Sequence, residues 1–265
     1  MRIILSRKGF DSANGAQPNP ILPDGTLLSL PIPDKKGNNP FSSLYWNGMS
    51  YYDIIHSLKP GTKLKAEDMC HLDPDLREEV KDRTQGWKPA FGQSEGALTH
   101  LRNHGVSIGD LFLFFGWFKA TEEKDGQLMY KKGAPDQHVI YAYMQIDSII
   151  ERKADAPEWL REHPHVGDKK DRDDRSNAIF LPSESLSFMS DHKGCDVLNY
   201  RRDRILTKDG MSRRYWSLPS FFKNVKISHH PNPWKDDYFV SAAIGQEFVM
   251  EANPEIMEWV KQIIK

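Results

Sequence analysis

The chain has 265 residues, and its 36 basic and 37 acidic side chains give a formal charge of -1 at pH 7. With 38% hydrophobic, 28% charged and 11% aromatic residues it carries enough apolar material for a packed core, which excludes a disordered, collagen-like or coiled-coil chain. The near-neutral balance excludes a protein that coats nucleic acid through its overall charge and leaves room only for a local basic site.

Cys70 and Cys195 are the only cysteines, and neither lies in a Cys-x-x-Cys or comparable ligand spacing. The sequence therefore indicates neither a disulfide framework nor a thiolate zinc site, and it fits a reducing compartment. The opening MRIILSRKGF holds only three consecutive strongly apolar residues before Ser6-Arg7-Lys8, too few for a secretory signal. The longest aromatic and apolar run, Leu111 to Phe118, falls far short of the ~20 residues of a membrane span. A cytoplasmic protein without membrane association is expected.

Residues 2–6 predict a short apolar strand. The Gly/Pro/Asn-rich stretch from Gly9 to Pro40 is expected to be an ordered, functional loop or lid, with Thr26-Leu27-Leu28-Ser29-Leu30 as a short strand inside it. The segment 50–58 reads as a helix capped by Ser50 and stopped at Pro60-Gly61. Asp73-Pro74 followed by Asp75, Glu78 and Glu79 has the order of an N-cap, a proline at the first helical position and acidic first turns, and predicts a helix over 73–83. A third helix is expected over 94–104, where Ala97, Leu98 and Leu101 recur at helical spacing and Gly105 supplies the left-handed terminator.

After the Gly109-Asp110 turn, Leu111 to Phe118 is apolar on both faces, as a central strand requires. The polar stretch 121–137, with Asp125-Gly126, leads to a second strand over 138–147, and the two form a long-looped antiparallel pair. A short helix over 157–162, a His/Asp/Lys/Arg-rich loop over 163–177 and a strand over 178–181 follow. The remainder holds Arg201-Arg202-Asp203-Arg204, an aromatic segment over 215–222 and a last amphipathic helix over 254–264. No internal repeat and no regular βαβ period is present. The chain therefore reads as a single α+β domain over 1–265, built on a mixed, barrel-like sheet with peripheral helices.

Ser6-Arg7-Lys8-Gly9-Phe10-Asp11-Ser12 sits directly after the first strand and has the makings of an anion site. Arg is a bidentate fork and Lys a point charge for phosphate, and amides beside a glycine can form a nest. The competing reading is a solvated turn, and no Walker or GxGxxG spacing is present. His100 and His104 share a helix face, as metal ligands can. HLRNH lacks the zincin glutamate, however, and the helix dipole alone favours a histidine in a last turn, so no metal site is assigned. His163 and His165 in HPH, with His71 and Asp73 in HLDP, would make a general acid/base or metal-water site if the fold brought them together around a water. Taken singly, Asp73 is a helix cap.

Among Trp87, Trp117, Trp216, Trp234 and their aromatic neighbours, most rings are expected in the core and one or two at a pocket, where a base stacks on a ring or a guanidinium. Gln93 in FGQSEG has the amide geometry to read a base edge, and equally to cap the helix that follows.

The order of SRKGFDS, PNPILPDGTLLSLPIPD, HLDPDL, FGQSEGALTHLRNHGVSIGDLFLFFGWF, HVIYAYMQI, HPH and RYWSLPSFF resembles the nucleotide modification associated domain 3 family over nearly the whole chain. LFLFFGWF and SRKGFDS are the most specific strings. The resemblance implies a protein of bacteria or phages linked to modified nucleotides or modified DNA. A more distant likeness is to PUA-like modules such as the EVE and ASCH domains: a short helix, a Gly-Asp turn opening an apolar strand, and a returning strand ending in QIDSIIE. Those modules are barrel-like, and some bind a flipped nucleotide in an aromatic pocket. The first 60 residues and the aromatic C-terminal region depart from their small size.

The expectation is a protein that recognises a modified nucleotide or base, free or in DNA, in a DNA-modification or phage-defence setting, with its chemical alteration as a further step. Ser6, Arg7 and Lys8 would line the phosphate site. Asp11, Gln93 and His100 would orient the base or sugar, Trp117 or Trp216 would stack, and His71, Asp73, His163 and His165 would transfer protons. No cofactor is assigned. The alternatives are a non-catalytic reader of modified bases and a structural or partner-binding subunit.

Overall fold

A computed structural model of the chain describes residues 1–167, 174–229, 233–242 and 246–265. Strand, at 37%, outweighs helix, at 22%, and a single curled sheet carries the architecture. The elements that position the site are, in chain order, β1 (Arg2–Arg7), β2 (Asn19–Ile21), α1 (Tyr51–Leu58), β3 (Met69–His71), β4 (Phe91–Ser94), α2 (Glu95–Asn103), β5 (Leu111–Lys124), β6 (Gln127–Tyr130), β7 (Gln137–Ile150), α3 (Pro164–Gly167), β8 (Asn177–Pro182), β9 (Cys195–Val197), β10 (Glu247–Glu251) and α4 (Pro254–Ile264). Among the described residues, nine strands form the main sheet in the order β10-β1-β5-β7-β8-β4, with β2 and β6 also on β5 and β9 also on β7. β1 runs parallel to β5, and the other neighbours on that path are antiparallel.

The alternation of β5 divides the core in two. Leu111, Leu113 and Phe115 pack with Ile3, Leu5, Trp216, Phe222, Phe248 and the apolar face of α4. Phe112, Phe114 and Phe118 pack on the other side with Ile4, Phe91, Leu98, Leu101, Tyr141 and Phe180. A strand buried on both faces has no polar position to alternate with, which is why its sequence is a continuous apolar run.

β7 shifts register between Ile140 and Ala142 against β5, and between Ile146 and Ser148 against β8. Such irregularities bend a strand and increase its twist, and the sheet curls until its two terminal strands approach. α2 packs across the opening against β4, β8 and β10, and Gln93 of β4 donates to Glu247 of β10 at 2.6 Å. The half-barrel is thus closed by a helix and a side-chain hydrogen bond where a ladder would otherwise run.

A further cluster joins Tyr51, Ile54, Ile55 and Leu58 of α1 to Leu28, Leu30, Phe41, Leu44 and Leu72, so the Gly/Pro-rich stretch has a core of its own. Asn19 ties it down by accepting the Leu30 amide at 2.7 Å and donating to the Trp117 carbonyl at 2.8 Å. Thr26–Leu30 is not the strand expected, and makes only isolated bridges from Leu27 to Ile21 and from Thr26 to Asn199. Leu27 is drawn into one core and Leu28 and Leu30 into another, which breaks strand alternation.

The helix predicted over 73–83 does not form; only Glu78–Val80 makes a 3₁₀ turn. Asp75 exchanges backbone hydrogen bonds with Ala90 at 2.9 and 3.0 Å, and its carboxylate takes two guanidinium nitrogens of Arg83 at 2.7 Å. This tertiary pairing holds the segment extended against its local capping signal.

The polar stretch 121–137 is also more structured than expected. β5 continues to Lys124, turns at Asp125-Gly126 (φ +52° and +73°) and pairs with β6. The expected helix over 157–162 is reduced to a 3₁₀ turn, Glu158–Leu160, ahead of α3. Positions 168–173 of the His/Asp/Lys/Arg-rich loop lie outside the described residues. Helices α1, α2 and α4 stand where the sequence places them. Ser50 accepts the Asp53 amide at 3.0 Å, Asn253 accepts the Ile256 amide at 2.8 Å, and Gly105 has φ +67°.

Candidate functional site

Asp73 is the centre of a buried cluster of imidazoles. β3 ends at His71, and two residues later the chain presents Asp73 to β4, where the Gly92 amide donates to Oδ1 at 2.6 Å. His163 and His165 enter at the start of α3. His163 Nε2 lies 3.3 Å from Asp73 Oδ1, and His165 Nε2 lies 3.8 Å from Oδ2. His71 Nε2 is 4.0 Å from Oδ2 and 3.2 Å from His165 Nε2. The histidines are 3% to 9% exposed.

Only glycine fits at position 92, because a Cβ there would stand 2.2 Å from the His165 ring. Asn177 Nδ2 donates to the His165 carbonyl at 3.0 Å while Asn177 Oδ1 faces His165 Nδ1 at 2.7 Å. An amide oxygen only accepts, so His165 Nδ1 carries a proton and its Nε2 is turned inward. Burial raises the Asp73 carboxyl, but the His163 hydrogen bond and the charges of His165, His163 and His71 outweigh it and hold the group well below the usual carboxylate range.

Asp73 also lines a narrow cleft with a free volume of about 30 Å³, together with Gly9, Ser29, Tyr51, Arg77 and Tyr141, room for about one water molecule. The Tyr141 hydroxyl interacts with Ser29, and burial raises its pKa.

A second polar cluster lies on the other side of β4. Ser6 stands directly opposite Glu247, so their side chains share one face. Lys8, on the same face, places Nζ 2.9 Å from Glu247 Oε1 and 4.6 Å from the Phe91 ring centroid. The Lys8 and Glu247 side chains are 8% and 1% exposed.

Several predicted binding residues must be reassigned. Strand alternation separates Arg7 from Lys8. Arg7 lies on the opposite face near Arg213 and Asp11, where burial and Arg213 lower its pKa against the pull of Asp11 and Glu247. The two cations therefore do not form one phosphate clamp, and Glu247 already neutralises Lys8. Asp11 accepts the amides of Ala13 and Asn14 at 2.8 and 2.7 Å and organises its own turn.

Gln93 is buried, gives its amide to Glu247 and accepts the Ser94 amide at 3.0 Å, which leaves it no edge for a base. His100 stacks on His229 at 3.9 Å and meets Ser228 Oγ at 2.9 Å. Burial, with His229 and His104 beside it, lowers its pKa to about 4. Trp117 is half-buried, donates to Asp136 at 2.7 Å and carries the Arg213 guanidinium 4.0 Å above its ring, so one stacking face is taken. Trp216 is fully buried and donates to His138 Nδ1 at 3.0 Å; it is core and not a stacking surface.

The fold thus gathers His71, Asp73, His163 and His165 at one point and Ser6, Lys8 and Gln93 at another. It leaves Arg7, Asp11 and Trp117 with Arg213, and sets His100 against Ser228, which donates to the Glu247 carbonyl. Asp34, Gly92, Tyr141, Asn177 and Glu247 were not singled out by the sequence. Glu247 carried a usable signal, being an acidic residue that opens the apolar strand EFVM. Asp34 looked like an ordinary turn residue in PIPDKKG.

Among described residues, no helix is long and apolar enough to cross a membrane. No curated protein and no solved structure matches the chain. The family model described as nucleotide modification associated domain 3 matches residues 2–251, a span that runs from β1 to β10 and contains both polar clusters. The chain therefore belongs to the nucleotide modification associated domain 3 family.

Proposed function

We propose that this protein recognises a modified nucleotide or base in the cleft beside Asp73 and alters it by proton transfer. The observation that supports this reading is the convergence of His71, Asp73, His163 and His165, with contacts of 3.2 to 4.0 Å, behind a narrow cleft that Asp73 lines. A carboxylate held ionised among imidazoles stabilises a protonated ring. A histidine that accepts a substrate proton is thereby made a better base and can return the proton to a leaving or product atom. Arg77 lines the cleft and, though paired with Glu79 at 3.0 Å, would supply positive charge for a phosphate there. The nucleotide itself comes from the family, and a DNA-modification or phage-defence setting in the cytoplasm belongs to the same reading.

The test is to incubate the pure protein with DNA and with nucleotide pools and to compare the nucleosides by mass spectrometry. The wild type should create or remove a nucleoside, and Asp73→Asn, checked for an unchanged circular dichroism spectrum, should not. A spectrum unchanged in every pool overturns the catalytic reading. With retained base-specific binding, that result supports the second reading, a non-catalytic modified-base reader of PUA-like layout. The observation favouring this alternative is the curled half-barrel closed by α2.

A further inference from the structure

The geometry points to a divalent transition-metal site formed by His71 Nε2, His165 Nε2 and Asp73 Oδ2. These donor atoms are separated by 3.2, 3.8 and 4.0 Å, and the three residues can offer ligand atoms all within 4.8 Å of one another. Ligands about 2.1 Å from a metal and roughly 90–110° apart sit about 3.0–3.4 Å from each other. The observed triangle is one face of such a coordination sphere, slightly expanded.

The surroundings orient His165 and Asp73. His165 Nδ1 is held by Asn177 Oδ1 at 2.7 Å, as the remote N–H of a metal-binding histidine is given to a carbonyl or carboxylate so that the other nitrogen is the donor; His71 Nδ1 lies 3.7 Å from Asp34 Oδ2, beyond hydrogen-bond distance. Asp73 is divided between two tasks. Oδ1 takes the Gly92 amide at 2.6 Å and His163 at 3.3 Å, while Oδ2 faces His71 and His165. His163 is accordingly a positioning residue for the carboxylate.

Two imidazoles and a carboxylate favour a borderline first-row cation over magnesium or calcium. Three protein ligands leave positions for water or a substrate oxygen, and Asp73 borders the cleft. The inference deepens the proposed function at the same site and rests on it only for what the metal would act upon, not for the binding.

Wild-type protein, stripped with chelator, is titrated with Co²⁺ near neutral pH and followed by visible absorption, elemental analysis after desalting, and thermal unfolding. The expected result is one equivalent of bound Co²⁺, d–d absorption bands and a raised Tm. His165→Ala and Asp73→Asn should lose the bands and at least tenfold in affinity, and His104→Ala, exposed at the C-terminal cap of α2, should keep them. Absence of bound Co²⁺ in the wild type overturns the site whatever the variants do, as does binding unchanged in both His71→Ala and His165→Ala. A protein that binds no Co²⁺ yet alters nucleosides refutes the metal and keeps the proton-transfer reading. One that binds Co²⁺ and leaves every nucleoside unchanged refutes that reading and keeps the metal.

Discussion

Two buried polar clusters flank the same three residues of β4. Phe91 and Gln93 serve one, where Lys8 and Glu247 meet at 2.9 Å with Gln93 on the shared oxygen. Gly92 serves the other, where Asp73 lies among three histidines. The first is a pair of opposite charges that answer each other and tie the two ends of a curled sheet. In the second, a carboxylate and three imidazoles crowd toward one point, the arrangement on which the proposed proton transfer and metal site rest. The two clusters are alike in burial and differ in the groups they bring together.

Breaking the compensated pair should have the largest effect. Lys8→Met leaves the Glu247 carboxylate buried without its cation and should cost about 3–5 kcal/mol in denaturant unfolding. Lys8→Met combined with Glu247→Leu should recover most of that loss. A single variant within about 1 kcal/mol of wild type would mean that the pair does not close the half-barrel.

His138 gives a pH-dependent test on the opposite face of the sheet. Its burial, with Arg7 and Arg213 close by, lowers its pKa to about 3, whereas the unfolded chain titrates near 6.5. Below 6.5 the unfolded state therefore binds the proton that the folded state refuses, so stability falls as pH drops through this window toward 3 and is fully present above it. His138→Asn should flatten the stability profile between about pH 6.5 and 3 by an amount on the order of 2–4 kcal/mol. Trp216 keeps a partner in that variant through its 3.1 Å bond to the Arg213 carbonyl. An unchanged slope in chemical denaturation across that range would refute the assignment.

Gly92→Ala sharpens the contrast between the clusters. The added Cβ meets the His165 ring at 2.2 Å and should cost about 1–3 kcal/mol by overpacking, weakening Co²⁺ binding while the Lys8–Glu247 pair holds. A variant as stable as wild type that binds Co²⁺ equally well would show that the imidazole cluster yields easily and is not pre-organised. Ser50→Ala, at the α1 cap and remote from both clusters, should cost about 1 kcal/mol and leave metal and nucleotide behaviour unchanged.

The sequence made some of this legible and some not, for separable reasons. α1, α2 and α4 could be placed because their caps and terminators act within a few residues: Ser50 on the Asp53 amide, Asn253 on the Ile256 amide, Gly105 at positive φ. β5 could be placed because burial on two faces forces an unbroken apolar run. Asp73 misled in its local role, since the N-cap pattern is a local preference and the Asp75 pairing with Ala90 overrides it. The Arg7–Lys8 pair misled because adjacency in sequence is separation in a strand, where neighbours point to opposite faces.

By itself, then, the sequence determined the local elements, the central strand, the family resemblance and the four residues able to make an acid/base or metal site. Those follow from interactions a few residues long or from composition along one segment. Only the tertiary structure decided that His71, Asp73, His163 and His165 meet, that Asn177 orients the His165 ring, and that Glu247 belongs to Lys8 and Gln93. Each of these contacts joins distant parts of the chain, and the curl of the sheet, which no local pattern encodes, is what brings Gln93 and Glu247 on its two terminal strands together.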